Sequence, residues 1–342
     1  MVPHVTGQPR PGLRYVFALV LGATAMFGIP GAALAQPAWR PRLQLDNDVY
    51  NFWTRHTHRP DEEYTNGVHA SLESSTAPWW GRQFASGVPD CAGAPRTGTC
   101  RSTIVTLGQD LYTPNLHRAP YTVDDWELER PYFAWLYLSG TARVSSSRVL
   151  HATSLSIGAT GPPAGGALAQ SVAHRIGFNE QATGWETQIG FEPGVIAEYR
   201  QSRLLVRQGG ERGLAFDVLP EAAVSLGNIR THAEAGGVAR IGWNLSHPWH
   251  SPDWRGRAPG EWWVSAGGRA LYVARDMSLD GTLRNPDRHV ERVAGIRQYE
   301  FGAGIRVHFL SLEYRAVTTS REYRTGPGHH TYSSMIASLT PF

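Results

Sequence analysis

The segment 299–309, YEFGAGIRVHF, constrains the fold more than any other stretch. Tyr299, Phe301, Ala303, Ile305, Val307 and Phe309 share one face of an extended chain, and Glu300, Gly302, Gly304, Arg306 and His308 share the other. Successive side chains of a strand point to opposite faces, so this alternation makes one apolar and one polar surface. In 310–316, Leu310, Leu312, Tyr314 and Ala316 oppose Ser311, Glu313 and Arg315. In 262–272, Trp262, Val264, Ala266, Ala270 and Tyr272 oppose Ser265, Gly267 and Arg269. A soluble sandwich shows the same alternation. Three features favour a membrane barrel instead. The segments reach the roughly ten residues a tilted strand needs to cross the hydrocarbon core. Trp, Tyr and Phe stand near strand ends, as in interfacial girdles. The chain ends on Phe342 after the strand-like TYSSMIASLT, although Thr340 and Pro341 interrupt the alternation.

Twelve strands are expected near 41–50, 64–75, 101–113, 132–145, 147–160, 185–203, 214–228, 229–245, 261–279, 296–309, 309–323 and 330–342. Backbone polar groups in lipid have no water to pair with, so such a sheet must close on itself. The expected fold is all-β, a transmembrane antiparallel β-barrel of about twelve strands with short helical segments in its loops.

Arg10 and Arg14 precede the apolar run YVFALVLGATAMFGI, and Ala33-Leu34-Ala35 follows Pro30. This is the order of a cleaved secretory signal peptide, expected to span 1–35 and to leave 36–342 as a single outer-membrane barrel domain. The alternative is an uncleaved anchor, for which the run is short. Removing the two arginines takes the formal charge from +3 to +1, which excludes a nucleic-acid footprint. The sequence contains no lysine, so a site that needs a cation must use arginine, histidine or a metal. Cys91 and Cys100 lie in a Gly/Pro-rich stretch, and in an exported protein they can close a small loop.

Four stretches exceed what a plain wall requires. LDNDVYNF places Asp46, Asn47 and Asp48 in the first strand, where Asp and Asn are disfavoured; a strand end or turn is the plain explanation. In EEYTNGVHASLE, if Val68, Ala70 and Leu72 face lipid, Thr65, Gly67, His69 and Ser71 face the lumen. A third, LGQDLYTPNLHRAPYTVDDWELERPYFAWLY, reads as strand, acidic and aromatic loop, and strand. The fourth, QSVAHRIGFNEQATGW, breaks the alternation. On a helix Gln170 and His174 share one face, and Glu180 follows six residues later. An imidazole titrates near neutrality, and a carboxylate beside it fixes its tautomer and raises its basicity. A lone histidine is more often structural; one with a same-face amide and a nearby carboxylate suits general-base work.

Together these stretches resemble the lipid A 3′-O-deacylase family of Gram-negative outer membranes (LpxR-type). The resemblance rests on Asn47-Asp48, on Tyr64 to Gly67, on Gly108-Gln109 with Tyr112 to Pro114, on ERPYFAWLY, and on Gly161-Pro162, Gln170, His174 and Gly184-Trp185. Glu129 stands where the family pattern has Asp, and Phe133-Ala134 replaces Ala-Gly, so a reshaped pocket beside Phe133 is expected. Any lysine the family uses near its site is missing here. The resemblance implies a calcium-dependent hydrolase in the outer membrane that removes the 3′-linked acyloxyacyl group of lipid A. His174 would activate a water, Glu180 would support it or bind Ca²⁺, and Gln170, Asn47, Asp48 and Thr65 would complete the site. Asp48 and Glu180 are the expected metal ligands. Lipid A or lipopolysaccharide in the outer leaflet would be the substrate partner, and the barrel assembly machinery a partner during insertion.

Two other readings remain. His69 and Ser71, two apart on one strand face, suit a serine-dependent outer-membrane esterase, although no third member is evident. A passive channel or structural surface protein would use Arg269, Arg306, Arg315, Glu300 and Glu313 as pore or packing charges. His56, His58, His329 and His330 are expected in loops, at the solvated surface.

Overall fold

The computed structural model describes residues 39–51, 63–92, 98–115, 128–177, 184–210, 212–249, 260–284, 286 and 288–339, with 174–177 as backbone only. The expected signal peptide, Glu180, His56, His58 and the terminal Phe342 lie outside the described residues.

Strands form where the alternation is longest: β1 (Trp39–Asn47), β2 (Glu63–Ser74), β3 (Cys100–Thr113), β4 (Phe133–Ser145), β5 (Val149–Thr160), β6 (Pro193–Arg203), β7 (Val206–Gln208), β8 (Leu214–Gly227), β9 (Arg230–Trp243), β10 (Glu261–Asp276), β11 (Gly295–Val307), β12 (Leu310–Ser320) and β13 (His329–Leu339). They make one antiparallel sheet in the order β6-β5-β4-β3-β2-β1-β13-β12-β11-β10-β9-β8-β7. Pairing of Ile196–Ser202 in β6 with Glu221–Gly227 in β8 closes it. The short β7 continues the line of β6 along β8, pairing Val206 with Val218. The wall therefore has twelve strands, as the alternation predicts.

One expected strand is shortened. The stretch 185–203 begins its strand only at Pro193, and Trp185–Thr187 is a 3₁₀ turn. Gly184 enters it with φ 92°, a conformation that ends extended pairing. The loop helices are α1 (Trp79–Phe84), α2 (Gly166–Gly177) and α3 (Met277–Asp280). Among the described residues no helix is long and apolar enough to cross a membrane; the strands cross it. Cys91 and Cys100 form a disulfide between the α1 loop and the start of β3.

The two faces sort as predicted. Tyr299, Phe301, Ile305 and Val307 are exposed on the outside, as are Val68, Leu72, Leu107, Leu136 and Leu138. Inside, arginine meets carboxylate: Arg240 and Arg207 lie 2.6 and 3.1 Å from Asp217, Arg269 2.6 Å from Glu300, Arg200 2.6 Å from Glu234, and Arg306 2.9 Å from Glu261. These charges are held in pairs. A planar guanidinium suits this, because its fixed fork satisfies a carboxylate with little loss of freedom.

Asp217 is fully buried between two arginines. Asp217→Ala leaves both without their shared anion, and unpairing a buried ion costs about 3 kcal/mol or more. The expected outcome is a lower denaturation midpoint in detergent, read by heat-modifiable gel mobility.

Candidate functional site

The site begins with an extra residue in β2. Tyr64 pairs with Tyr112 and Asn66 with Leu111, so Thr65 has no partner position on β3 and forms a bulge. A bulge inserts one residue and re-aims the side chains around it. Val68 and Leu72 face lipid, and Gly67, His69 and Ser71 face the lumen, as expected from alternation. Thr65 does not follow them. The bulge turns it outward, where its Oγ1 stands 2.5 Å from Thr113 Oγ1. Asn66 faces outward beside it and pairs in register with Asn47, the last residue of β1. The expectation of a lumenal Thr65 is therefore corrected.

Beyond Asn47 the chain makes a 3₁₀ turn, Asp48–Tyr50. The Val49 amide donates to Asn47 Oδ1 at 2.8 Å, so Asn47 serves as the N-cap. The turn is tied to the outer face of β12 and β13. Asn51 Nδ2 donates to the Thr331 carbonyl at 2.5 Å, and Tyr314 Oη donates to the Tyr50 carbonyl at 2.9 Å. Asp48 is buried beneath this turn. The plain reading of LDNDVYNF as a strand end is correct for the backbone, and the same turn carries a buried carboxylate, Asp48.

The interrupting stretch is the helix α2, and it covers the outer face of β3 and β4. Leu111, Tyr132, Ala134, Ala164 and Trp185 form one buried cluster against which Ala169 packs. Gln109 Nε2 donates to the Ala164 carbonyl at 2.6 Å, which fixes the chain entering the helix. A Cβ on Gly166 would meet the Trp185 ring at 2.3 Å and Ala134 at 2.9 Å, so this approach requires glycine. Trp185 Nε1 donates to Gln170 Oε1 at 2.5 Å, and Gln170 is buried. Position 174 follows one turn later on the same helical face. Gln170, Asn47 and Thr65 thus share the outer face at one end of the barrel, opposite the end that carries Trp39 and Leu339, and Asp48 follows Asn47 at that same end. The side chain of His174 and all of Glu180 lie outside the described residues.

Behind the wall is a network that alternation alone does not single out. Tyr64 Oη stands 2.9 Å from Asp46 Oδ2 and 2.9 Å from Asp110 Oδ1. His69 Nε2 is 2.9 Å from Asp110 Oδ1, and Gln44 Nε2 donates to Asp46 at 3.0 Å. Asp110 is the lumenal partner of His69 that was not evident in the sequence. Ser71 is not engaged with them: its Oγ pairs with Thr106 Oγ1 at 2.9 Å. A sequence signal existed, since Gln44 and Asp46 share parity on β1.

A second buried cluster follows on Glu63, next to Tyr64, at the same end. Arg130, with no side-chain exposure, lies 3.0 Å from Glu63 and 3.5 Å from Glu322. Tyr323 donates between Glu63 (2.8 Å) and Glu129 (2.9 Å). Burial works against the Arg130 charge, but Glu63 and Glu322 outweigh it and raise its pKa above the ordinary arginine value. Burial, followed by the neighbouring carboxylates Glu63 and Glu129, raises that of Tyr323. Glu129, the departure from the family's Asp, belongs to this cluster. Phe133 points inward and lines a lumenal cavity of about 230 Å³, and Ala134 is the residue beneath α2. His330 is buried rather than solvated, its Nδ1 3.7 Å from Glu322, because it pairs in register with Thr319 inside β13; His329 is exposed.

Comparisons with known proteins agree with this architecture. A family model described as outer membrane protein LpxR matches residues 16–340. LpxR from Salmonella typhimurium superposes with a TM-score of 0.69 at 20% identity, covering 88% of this chain and 99% of that one. The β domain of the Bordetella autotransporter BrkA, at 9% identity and a TM-score of 0.41, covers 89% of this chain and 98% of its own, too slight a likeness to argue from. No curated protein matches the chain.

Trp185→Phe removes the donor to Gln170 while keeping an aromatic ring. Loss of one hydrogen bond, about 1 kcal/mol, should speed amide exchange in α2 by roughly fivefold while β4 stays protected. Hydrogen–deuterium exchange in detergent micelles reads both.

Proposed function

This chain belongs to the outer membrane protein LpxR family, and we propose that it hydrolyses the 3′-linked acyloxyacyl ester of lipid A in the outer leaflet. The coarser assignment, an outer-membrane lipid A deacylase, follows from the family. One observation supports the finer reading most: Asn47, Thr65 and Gln170 lie on the outer side of the wall at one barrel end, beside the turn that carries Asp48, so a lipid substrate would approach them from the bilayer and not through the lumen.

In this reading His174 is the general base. It takes a proton from a water whose oxygen attacks the acyl carbonyl carbon; the bond from that carbon to the sugar oxygen then breaks, and the proton passes from His174 to the departing oxygen. Gln170 holds α2 against the wall through Trp185, which sets the height of position 174. Thr65 and Asn47 offer short polar groups toward the ester. Glu180 either fixes the His174 ring or binds metal.

Ca²⁺ takes carboxylate and carbonyl oxygens. The donor chemistry here fits: Asp48 is a buried carboxylate in the turn after β1, and its backbone carbonyl accepts from Asn51 Nδ2 at 2.9 Å. Among the described residues no three acidic, His or Cys side chains group as a metal site, so the remaining ligands fall to Glu180 or to backbone carbonyls. When bound, Ca²⁺ supplies positive charge against the ester oxygen, in a chain without lysine.

The test is mass spectrometry of lipid A from cells expressing the protein. Wild type is expected to release the 3′ acyloxyacyl group and His174→Ala to leave it, with a loss of at least about 100-fold. An unchanged lipid A profile from a folded barrel with calcium present defeats the assignment. Chelation adds a second arm. Activity lost in EDTA and kept in Ser71→Ala supports water activation; the reverse supports the His69/Ser71 esterase.

A further inference from the structure

We propose that Tyr64 is a positioning residue for the outer-face site, acting through the wall from the lumenal side. The inference rests on the deacylase reading and adds to it a residue that touches no substrate.

The site residues are neighbours in sequence of the lumenal network. Asp46 precedes Asn47 and Asp48, Tyr64 precedes Thr65, and Asp110 precedes Leu111, which lies under α2. Three strands each therefore carry a lumenal anchor one residue from an outer-face element. The Tyr64 hydroxyl is the point where all three meet, 2.9 Å from both aspartates. Its single hydrogen serves one carboxylate at a time, and Gln44 donates to Asp46 while His69 Nε2 lies 2.9 Å from Asp110. The phenol thus joins β1, β2 and β3 at the level of the bulge.

The bulge needs such a joint. It breaks the β2–β3 ladder between Tyr64 and Asn66, so ladder bonds alone do not fix Thr65 there. Glu63, just before Tyr64, has φ 63°, a left-handed conformation unfavourable for a residue with a side chain. Something outside the local backbone must hold 63–66 in place. Tyr64 does so from one side: its ring packs edge-on to Tyr332 at 4.7 Å and tilted against Tyr112 at 5.1 Å, and its hydroxyl ends on the two aspartates. Gly67 makes room for it, since a Cβ there would lie 2.0 Å from the Tyr64 oxygen. That contact explains the glycine three residues after Tyr64.

A displacement of about 1 Å at a catalytic group is enough to cost about 100-fold in rate. Tyr64→Phe keeps the ring and removes the joint. With purified protein in mixed micelles, kcat on lipid A should fall at least about tenfold while KM stays within about twofold and the folded fraction is unchanged. Gly67→Ala should lower kcat by displacing the same hydroxyl, so the two substitutions together should be far less than additive. Wild-type kcat in Tyr64→Phe overturns the proposal. So does a loss explained by the unfolded fraction alone, a rise in KM at constant kcat, or additivity of the two variants. If Tyr64→Phe does not fold, Gly67→Ala alone decides: wild-type kcat in it overturns the proposal. The deacylase reading fails separately and visibly, as an inactive wild type, and the proposal falls with it.

Discussion

Every backbone amide that crosses lipid must find its partner in protein, and in this chain the β6–β8 ladder completes that requirement. Closure fixes which side of the wall each residue occupies. Once it is made, a strand residue has only two environments, lipid or lumen. The lumen is filled by arginine–carboxylate pairs such as Arg240–Asp217 and Arg306–Glu261, and the outside by Leu, Val, Ile and aromatics. Such a wall has no obvious place for a polar site on its lipid face.

The bulge at Thr65 provides one. Two successive residues, Thr65 and Asn66, face outward, so polar groups reach the lipid side without disturbing the inward parity of Gly67, His69 and Ser71. Across β1, Asn47 matches Asn66, and the turn that follows buries Asp48. Helix α2 then covers the neighbouring strands through Leu111 and Ala134. Polar groups at a lipid-facing surface are costly unless paired or covered. Here Asn47 caps a turn, Thr65 meets Thr113, and Gln170 is bonded to Trp185.

Much of this was legible in the sequence, for a physical reason. Period two is enforced along every strand, so the twelve wall segments and the outward set on β11 could be read directly. The break at QSVAHRIG marked a helix, and α2 is there. The bulge could not be read, because Thr65 and Asn66 are both polar and either could be the extra residue. Parity fails after an unrecognised insertion, and it misplaced Thr65. The inward direction of Phe133 follows from the register of β4 against β3, which the family comparison of single positions does not contain. Likewise His330 belongs to the wall through its pairing with Thr319, which its own composition does not show.

The position of the site along the strands bears on its chemistry. Asn47 and Thr113 are the last residues of their strands, and Thr65 is the third of its own, so the site stands at the end of the apolar band. An ester between a sugar and its acyl chains lies at that same boundary, with the carbohydrate on the wet side and the hydrocarbon in the bilayer. A hydrolytic water must come from the wet side, and an acyl product must leave into the lipid. A lumenal site would have to draw the acyl chains through a closed wall packed with ion pairs. An outer-face site at the strand ends needs neither passage, and the lumen is left free to serve as the rigid backing against which the outward groups are set.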